Sequence, residues 1–97
     1  MLNTILSVAE RMELLLREAF SPSHLEVIDE SALHAGHAGA NPGGESHFRV
    51  VIVSDRFAET GRVQRQQLVY GVLDEMIKDG IHALSMVTST PEEYADR

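Results

Sequence analysis

Residues His47 to Ser54 read His-Phe-Arg-Val-Val-Ile-Val-Ser, an aromatic and β-branched run with no glycine or proline. Branching at Cβ suits a pleated, half-buried surface, so the run predicts a strand. Its alternation puts Phe48, Val50 and Ile52 on one face. Arg49, Val51 and Val53 share the other, which begins polar and turns apolar. Upstream, Ser31 to Gly44 carries Gly36, Gly39, Pro42, Gly43 and Gly44, a density that no regular element tolerates. That stretch is a loop, long enough in a small domain to have a task of its own. Before it, Leu25 to Asp29 alternates as a short strand, with Leu25 and Val27 on one side and Glu26 and Ile28 on the other. The chain opens with a helical period over Asn3 to Phe20, where Ile5, Ala9, Met12, Leu15/Leu16 and Ala19 recur at spacings of three and four. Asn3 or Thr4 is available to cap it, Glu13 stands four before Arg17 for an ion pair, and Ser21-Pro22 stops it.

Downstream, Asp55 to Arg62 connects onward, with Thr60 as a candidate cap. Val63 to Asp79 predicts a second helix that buries Val69, Val72/Leu73 and Met76/Ile77, and Lys78 with Gly80 marks its end. Ile81 to Thr88 alternates as a third strand. Thr90-Pro91-Glu92-Glu93 is a capping box with proline at the first helical position, so a short final helix starts there. The order is α-β-β-α-β-α. The first two strands pair as an antiparallel hairpin, and the third returns parallel to a neighbour through a right-handed crossover. Both major helices then cover one sheet face, which makes a two-layer α+β sandwich in a single domain over residues 1–97.

With 97 residues there is material for one small core, and no apolar run approaches the roughly 20 residues that cross a bilayer. Met1 to Leu16 carries Glu10 and Glu13 and no basic region, so it is expected to belong to the fold and not to a signal peptide. A cytoplasmic location and no membrane association are expected. Cysteine is absent, which excludes a disulfide framework, a thiol nucleophile and an all-cysteine metal site. The net charge of −7 disfavours non-specific binding to phosphate backbones. Residues 49–65 depart from that balance, with four arginines against Asp55 and Glu59, a local charge of +2.

Histidine is the enriched reactive type: His24, His34, His37, His47 and His82. His34 and His37 fall in the glycine-rich loop, and His82 is the second residue of the third predicted strand, on the face of Leu84 and Met86. A loop histidine and a strand-end histidine can meet at a sheet edge and offer two imidazoles to a metal, half of a four-coordinate shell. A histidine on a partly apolar strand can equally pack with one hydrogen bond, and that reading is preferred for His24 and His47. No catalytic constellation emerges. Ser46 and His47 are strand neighbours that point to opposite faces, and Glu45 and Asp55 stand too far apart to act as paired carboxylates. The glycines match neither a P-loop nor a dinucleotide fingerprint. Arg62 and Arg65 open the second helix and, with Arg49, form a candidate nucleic-acid contact. The helix continues with Gln66, Gln67, Asp74 and Glu75, and no GxxG loop precedes it, so a solvated helix face is preferred there.

Several segments together resemble the BolA family: Leu25-Glu26-Val27 through Asp29-Glu30-Ser31, Gly44-Glu45-Ser46-His47-Phe48, Val53-Ser54-Asp55-Arg56-Phe57, and Ile81-His82-Ala83-Leu84 with Thr90-Pro91. The likeness runs from about Met12 to Tyr94 in the family's order and spacing. It implies the KH-like αββαβ fold of class II with a short C-terminal helix. It also implies a monothiol glutaredoxin as partner, either without metal or sharing a [2Fe-2S] cluster with that glutaredoxin's cysteine and with glutathione. On this resemblance His82 is one metal ligand and His34 the second, with His37 as the alternative. Imidazole in place of thiolate makes such a cluster less negative and raises its potential. Because imidazole protonates near pH 6.5, the shared cluster is expected to loosen on mild acidification. The resemblance further implies DNA-binding transcriptional regulation through the second helix. Here the chain has Gln66-Gln67 where the family often carries a His-Arg pair, which weakens that expectation. The free chain is expected to be a monomer or a weak homodimer.

Overall fold

A computed structural model of the chain describes residues 6–30, 47–81 and 83–96. The loop expected over Ser31–Gly44 lies outside them, as do Ile5 and the proposed caps Asn3 and Thr4. The elements run α1 (Val8–Phe20), β1 (His24–Asp29), β2 (His47–Val53), a 3₁₀ turn (Asp55–Phe57), α2 (Arg62–Val72), α3 (Asp74–Asp79), β3 (Ala83–Ser89) and α4 (Pro91–Ala95). The sheet order is β1-β2-β3, with β1 antiparallel and β3 parallel to β2. No helix among the described residues is long and apolar enough to cross a membrane.

The helix α1 begins later than the hydrophobic period suggests. Ser7 caps it, accepting the Glu10 N–H at 3.1 Å while the Glu10 carboxylate accepts the Ser7 N–H at 2.8 Å. This reciprocal Ser-x-x-Glu box satisfies two donors that the first turn leaves without partners. Met12, Leu16 and Phe20, each four apart, form the buried stripe, whereas Leu15 stays 37% exposed. The expected ion pair joins Arg17 to Glu13 at 3.7 Å, and Ser21 ends the helix in the left-handed region. The second helix is not the single unit expected over Val63–Asp79. It kinks at Leu73, whose backbone leaves helical values (φ −98°, ψ 9°). Gly71 weakens the helix just before the kink, and Asp74 and Glu75 place negative charge at the start of α3. The hydrogen bonds barely notice, since the Leu73 N–H still reaches Val69 O at 3.1 Å and its carbonyl accepts Ile77 N–H at 3.0 Å. Gly61, and not Thr60, caps α2, with the Gln64 side chain accepting the Gly61 N–H at 3.0 Å. As the sequence indicates, Lys78 lies in the last turn of α3 and Gly80 terminates it at φ 143°.

The core joins α1, α2 and α3 to one sheet face: Met12, Leu16 and Phe20 meet Phe48, Val50 and Ile52, with Val69, Leu73, Met76 and Phe57 filling the space between. This is the two-layer α+β sandwich. The other sheet face is covered at one end by α4, whose Thr90–Glu93 capping box and leading proline match the sequence reading. The Tyr94 ring stacks on His24 at 5.1 Å, and His24 is the cross-strand neighbour of the buried Val53. The apolar end of that β2 face is therefore the covered end.

Ser54 fastens this arrangement. It is fully buried, its hydroxyl donates to Phe20 O at 2.6 Å and accepts the Arg56 N–H at 3.1 Å, and its N–H donates to Ser89 O at 2.9 Å. Arg56 Nη1 donates to Ala19 O at 3.2 Å, so two of the last carbonyls of α1 are bound by the segment that follows β2. Ser54→Ala leaves the buried Phe20 carbonyl and the part-buried Arg56 N–H without their partner, and it is expected to cost about 1–3 kcal/mol in urea unfolding with the m-value unchanged.

Candidate functional site

The motif residues fall into two groups at opposite ends of the sheet. At the end formed by the start of β1 and the finish of β2 and β3, Arg65 is the hub. The residue is 9% exposed. Nε donates to Thr60 O at 3.1 Å and to the Thr60 hydroxyl at 3.2 Å. Nη1 donates to Thr88 O at 3.2 Å and to Glu93 Oε1 at 2.6 Å, and Nη2 reaches Glu93 Oε2 at 3.1 Å. The guanidinium carbon lies 5.8 Å from the centre of the Phe57 ring, which itself packs on Phe20 at 5.2 Å. Glu93 also accepts the Thr90 N–H at 2.9 Å. The Arg65 hydrogen bond first, and the Thr90 backbone bond next, hold the Glu93 carboxyl at about 2, down from 4.5. Ser54, Arg56, Phe57 and Thr90 thus serve the fold: they lock α1, α2 and α4 to the end of the sheet.

The opposite end is built from the finish of β1 and the starts of β2 and β3. The Glu30 N–H donates to His47 O at 2.8 Å, closing the ladder at the point where the chain leaves for residues 31–46. His47 faces Ala83 in the parallel register, and the buried Ile81 leads into that strand from α3. Both ends of the 31–46 segment and both neighbours of residue 82 therefore meet at one edge. His34, His37 and His82 themselves lie outside the described residues. Among the described residues, no three histidines, aspartates or glutamates come together as a metal site. His24 belongs to the far end, where Nε2 pairs with Glu26 Oε2 at 2.6 Å.

The arginines named for nucleic acid do not form one surface. Arg62 is exposed at the start of α2, and Arg49 is half-buried between Ile28 and Ser85 on the sheet face turned away from α2. Arg65 is committed to Thr60, Thr88 and Glu93. Sequence reasoning missed this structural duty, although the spacing held a clue. Arg65 stands four before Val69 and eight before Leu73, on the buried stripe of its helix. Ser54 was missed in the same way, since it continues the inward alternation of Phe48, Val50 and Ile52.

Comparison with known proteins identifies the family. The BolA-like protein family profile matches residues 16–93. The DNA-binding transcriptional regulator BolA of Escherichia coli is 44% identical over 87 residues, covering 90% of this chain and 79% of that protein. BolA-like protein 1 of Homo sapiens is 41% identical over 81 residues, 84% of this chain and 56% of its own length. The solved BolA domain of SufE1 from Arabidopsis thaliana superposes with a TM-score of 0.81 at 41% identity, covering 93% of this chain and 99% of that one. These relatives are named as regulators or BolA-like proteins, none of them as an enzyme. With a profile match over residues 16–93, which spans the whole sheet and the α2–α3 segment, relatives at 41–44% identity over most of the length and the same fold, this chain belongs to the BolA family.

Proposed function

We propose that this chain is a non-enzymatic partner of a monothiol glutaredoxin, and that it shares a [2Fe-2S] cluster with it in iron–sulfur trafficking and iron homeostasis. The observation that carries the reading is the strand topology: an antiparallel β1–β2 pair and a parallel β2–β3 pair bring the ends of the 31–46 segment to the start of β3. The donor chemistry fits. A chain without cysteine reaches iron through imidazole and takes its thiolates from elsewhere, here a glutaredoxin cysteine and glutathione. His82 and His34, with His37 as the alternative, would hold the cluster. Such a cluster supplies one-electron redox chemistry and a transferable iron–sulfur unit, and imidazole ligation sets its potential above that of an all-thiolate one. This chain's own work is to bind the partner and present two neutral imidazoles.

Anaerobic size-exclusion chromatography tests the partnership. A cluster-loaded monothiol glutaredoxin homodimer mixed with this chain is expected to convert into a coloured heterodimer. Colour that stays with the homodimer, and no shift of this chain's elution, would count against the proposal.

A second reading draws on the Escherichia coli relative, which is named as a DNA-binding transcriptional regulator. Exposed Arg62 is the arginine at the start of α2 that can serve it, because Arg65 is held inside the protein. Salt-dependent duplex binding that weakens in Arg62→Ala supports this reading, and no binding at low salt removes it.

A further inference from the structure

The outer side of α1 carries a pattern that neither the fold nor the proposed function uses. Arg11, Leu14, Leu15 and Glu18 follow the i, i+3, i+4, i+7 spacing of one helix face, and all four are exposed. Leu14 is 56% exposed, more than any other leucine in the described residues. Hollows lie on both sides of the leucine pair. One, of about 310 Å³, is the groove between α1 and the α2–α3 segment, lined by Arg11, Leu14, Leu15, Val72, Glu75 and Met76. The other, of about 450 Å³, is lined by Leu14, Leu15, Arg17 and Glu18. Leucine knobs with empty holes beside them are the elements of helix–helix packing.

The charges say what fits. Arg11 stands three residues before Leu14, and Glu18 stands three after Leu15, so opposite charges flank the pair symmetrically. We propose that a second copy of this chain docks here, with the two α1 helices antiparallel across a two-fold axis at Leu14–Leu15. Each leucine pair then enters the partner's hollows, and Arg11 of each copy meets Glu18 of the other. A two-fold interface must be complementary to itself, which this pattern achieves and which an unrelated partner would not require. The stripe is about 10 Å long, seven steps of about 1.5 Å from Arg11 to Glu18. The contact is therefore small, and the dissociation constant is expected on the order of 0.1 mM. This surface is independent of the histidine-bearing edge of the sheet.

Sedimentation equilibrium of the full chain from low micromolar to millimolar concentration tests it. The wild type is expected to self-associate, and Leu14→Gln to weaken the dimer about tenfold or more. Arg11→Glu or Glu18→Arg alone sets like charges against each other at both symmetric positions and is expected to weaken it about tenfold. The double exchange Arg11→Glu/Glu18→Arg restores opposite pairs and is expected to return within about threefold of wild type. Circular dichroism confirms that these exposed substitutions leave the fold intact. A wild type that remains monomeric, a dimer indifferent to Leu14→Gln, or a double exchange as weak as the single ones would each overturn the proposal.

Discussion

Phe57→Ala is expected to lower the unfolding free energy by about 3–5 kcal/mol. Phe57 is fully buried, packs on Phe20 at a centroid distance of 5.2 Å and carries the Arg65 guanidinium over its ring at 5.8 Å. Its removal opens a cavity where α1, the 3₁₀ turn and α2 meet, and it takes away the platform on which Arg65 lies. A domain of this size holds roughly 5–15 kcal/mol in total, so at least about a fifth of its stability rests on one ring. With about 4–8 °C per kcal/mol, the midpoint should fall by roughly 12–40 °C. Calorimetry or urea unfolding reads this directly, and a loss below about 1 kcal/mol would contradict the packing described here.

Arg65→Met is the second large effect, expected at about 2–3 kcal/mol. Methionine keeps the aliphatic stem but abandons the carbonyls of Thr60 and Thr88 and the Glu93 carboxylate. Arg65→Lys is expected to recover little, because an ammonium cannot reproduce the fork that grips both Glu93 oxygens. Hydrogen exchange should show α4 losing protection while β2 keeps it. The two variants share a contact, so the Phe57→Ala/Arg65→Met double is expected to cost less than the sum of the singles. The acid limb carries a further signature. The folded carboxyl of Glu93 lies at about 2 against an ordinary 4.5. A depressed carboxyl contributes stability that is complete above its ordinary value and is lost as pH falls toward the folded one. Wild type should therefore lose this contribution between about pH 4.5 and pH 2. Arg65→Met, lacking the chief cause of the depression, should show a shallower loss over the same window.

Most of the fold was legible because its elements obey simple periods. The β2 alternation, the Gly80 stop and the Thr90 box each state their element locally, and the structure repeats them. The departures have physical reasons. Ser7 and Glu10 form the true start of α1, but the apolar spacing continues upstream and disguises it. The kink at Leu73 leaves the hydrogen-bond ladder nearly whole, so nothing in the hydrophobic spacing announces it. Arg65 and Ser54 are polar residues at inward positions, and periodicity does not reveal which distant partners satisfy them. The candidate site is legible in a different sense. His82, His34 and His37 were singled out by residue type and by resemblance. The strand register adds that their segments depart from one edge of the sheet.

The most direct measurement is anaerobic reconstitution with a monothiol glutaredoxin, glutathione, iron and sulfide, followed by visible absorption and circular dichroism. Wild type is expected to give a spectrum unlike that of the glutaredoxin homodimer. His82→Ala should abolish it, and one of His34→Ala and His37→Ala should alter it and so identify the second ligand. A glutaredoxin spectrum left unchanged by wild type and all three variants would contradict cluster sharing and leave DNA binding as the function to pursue.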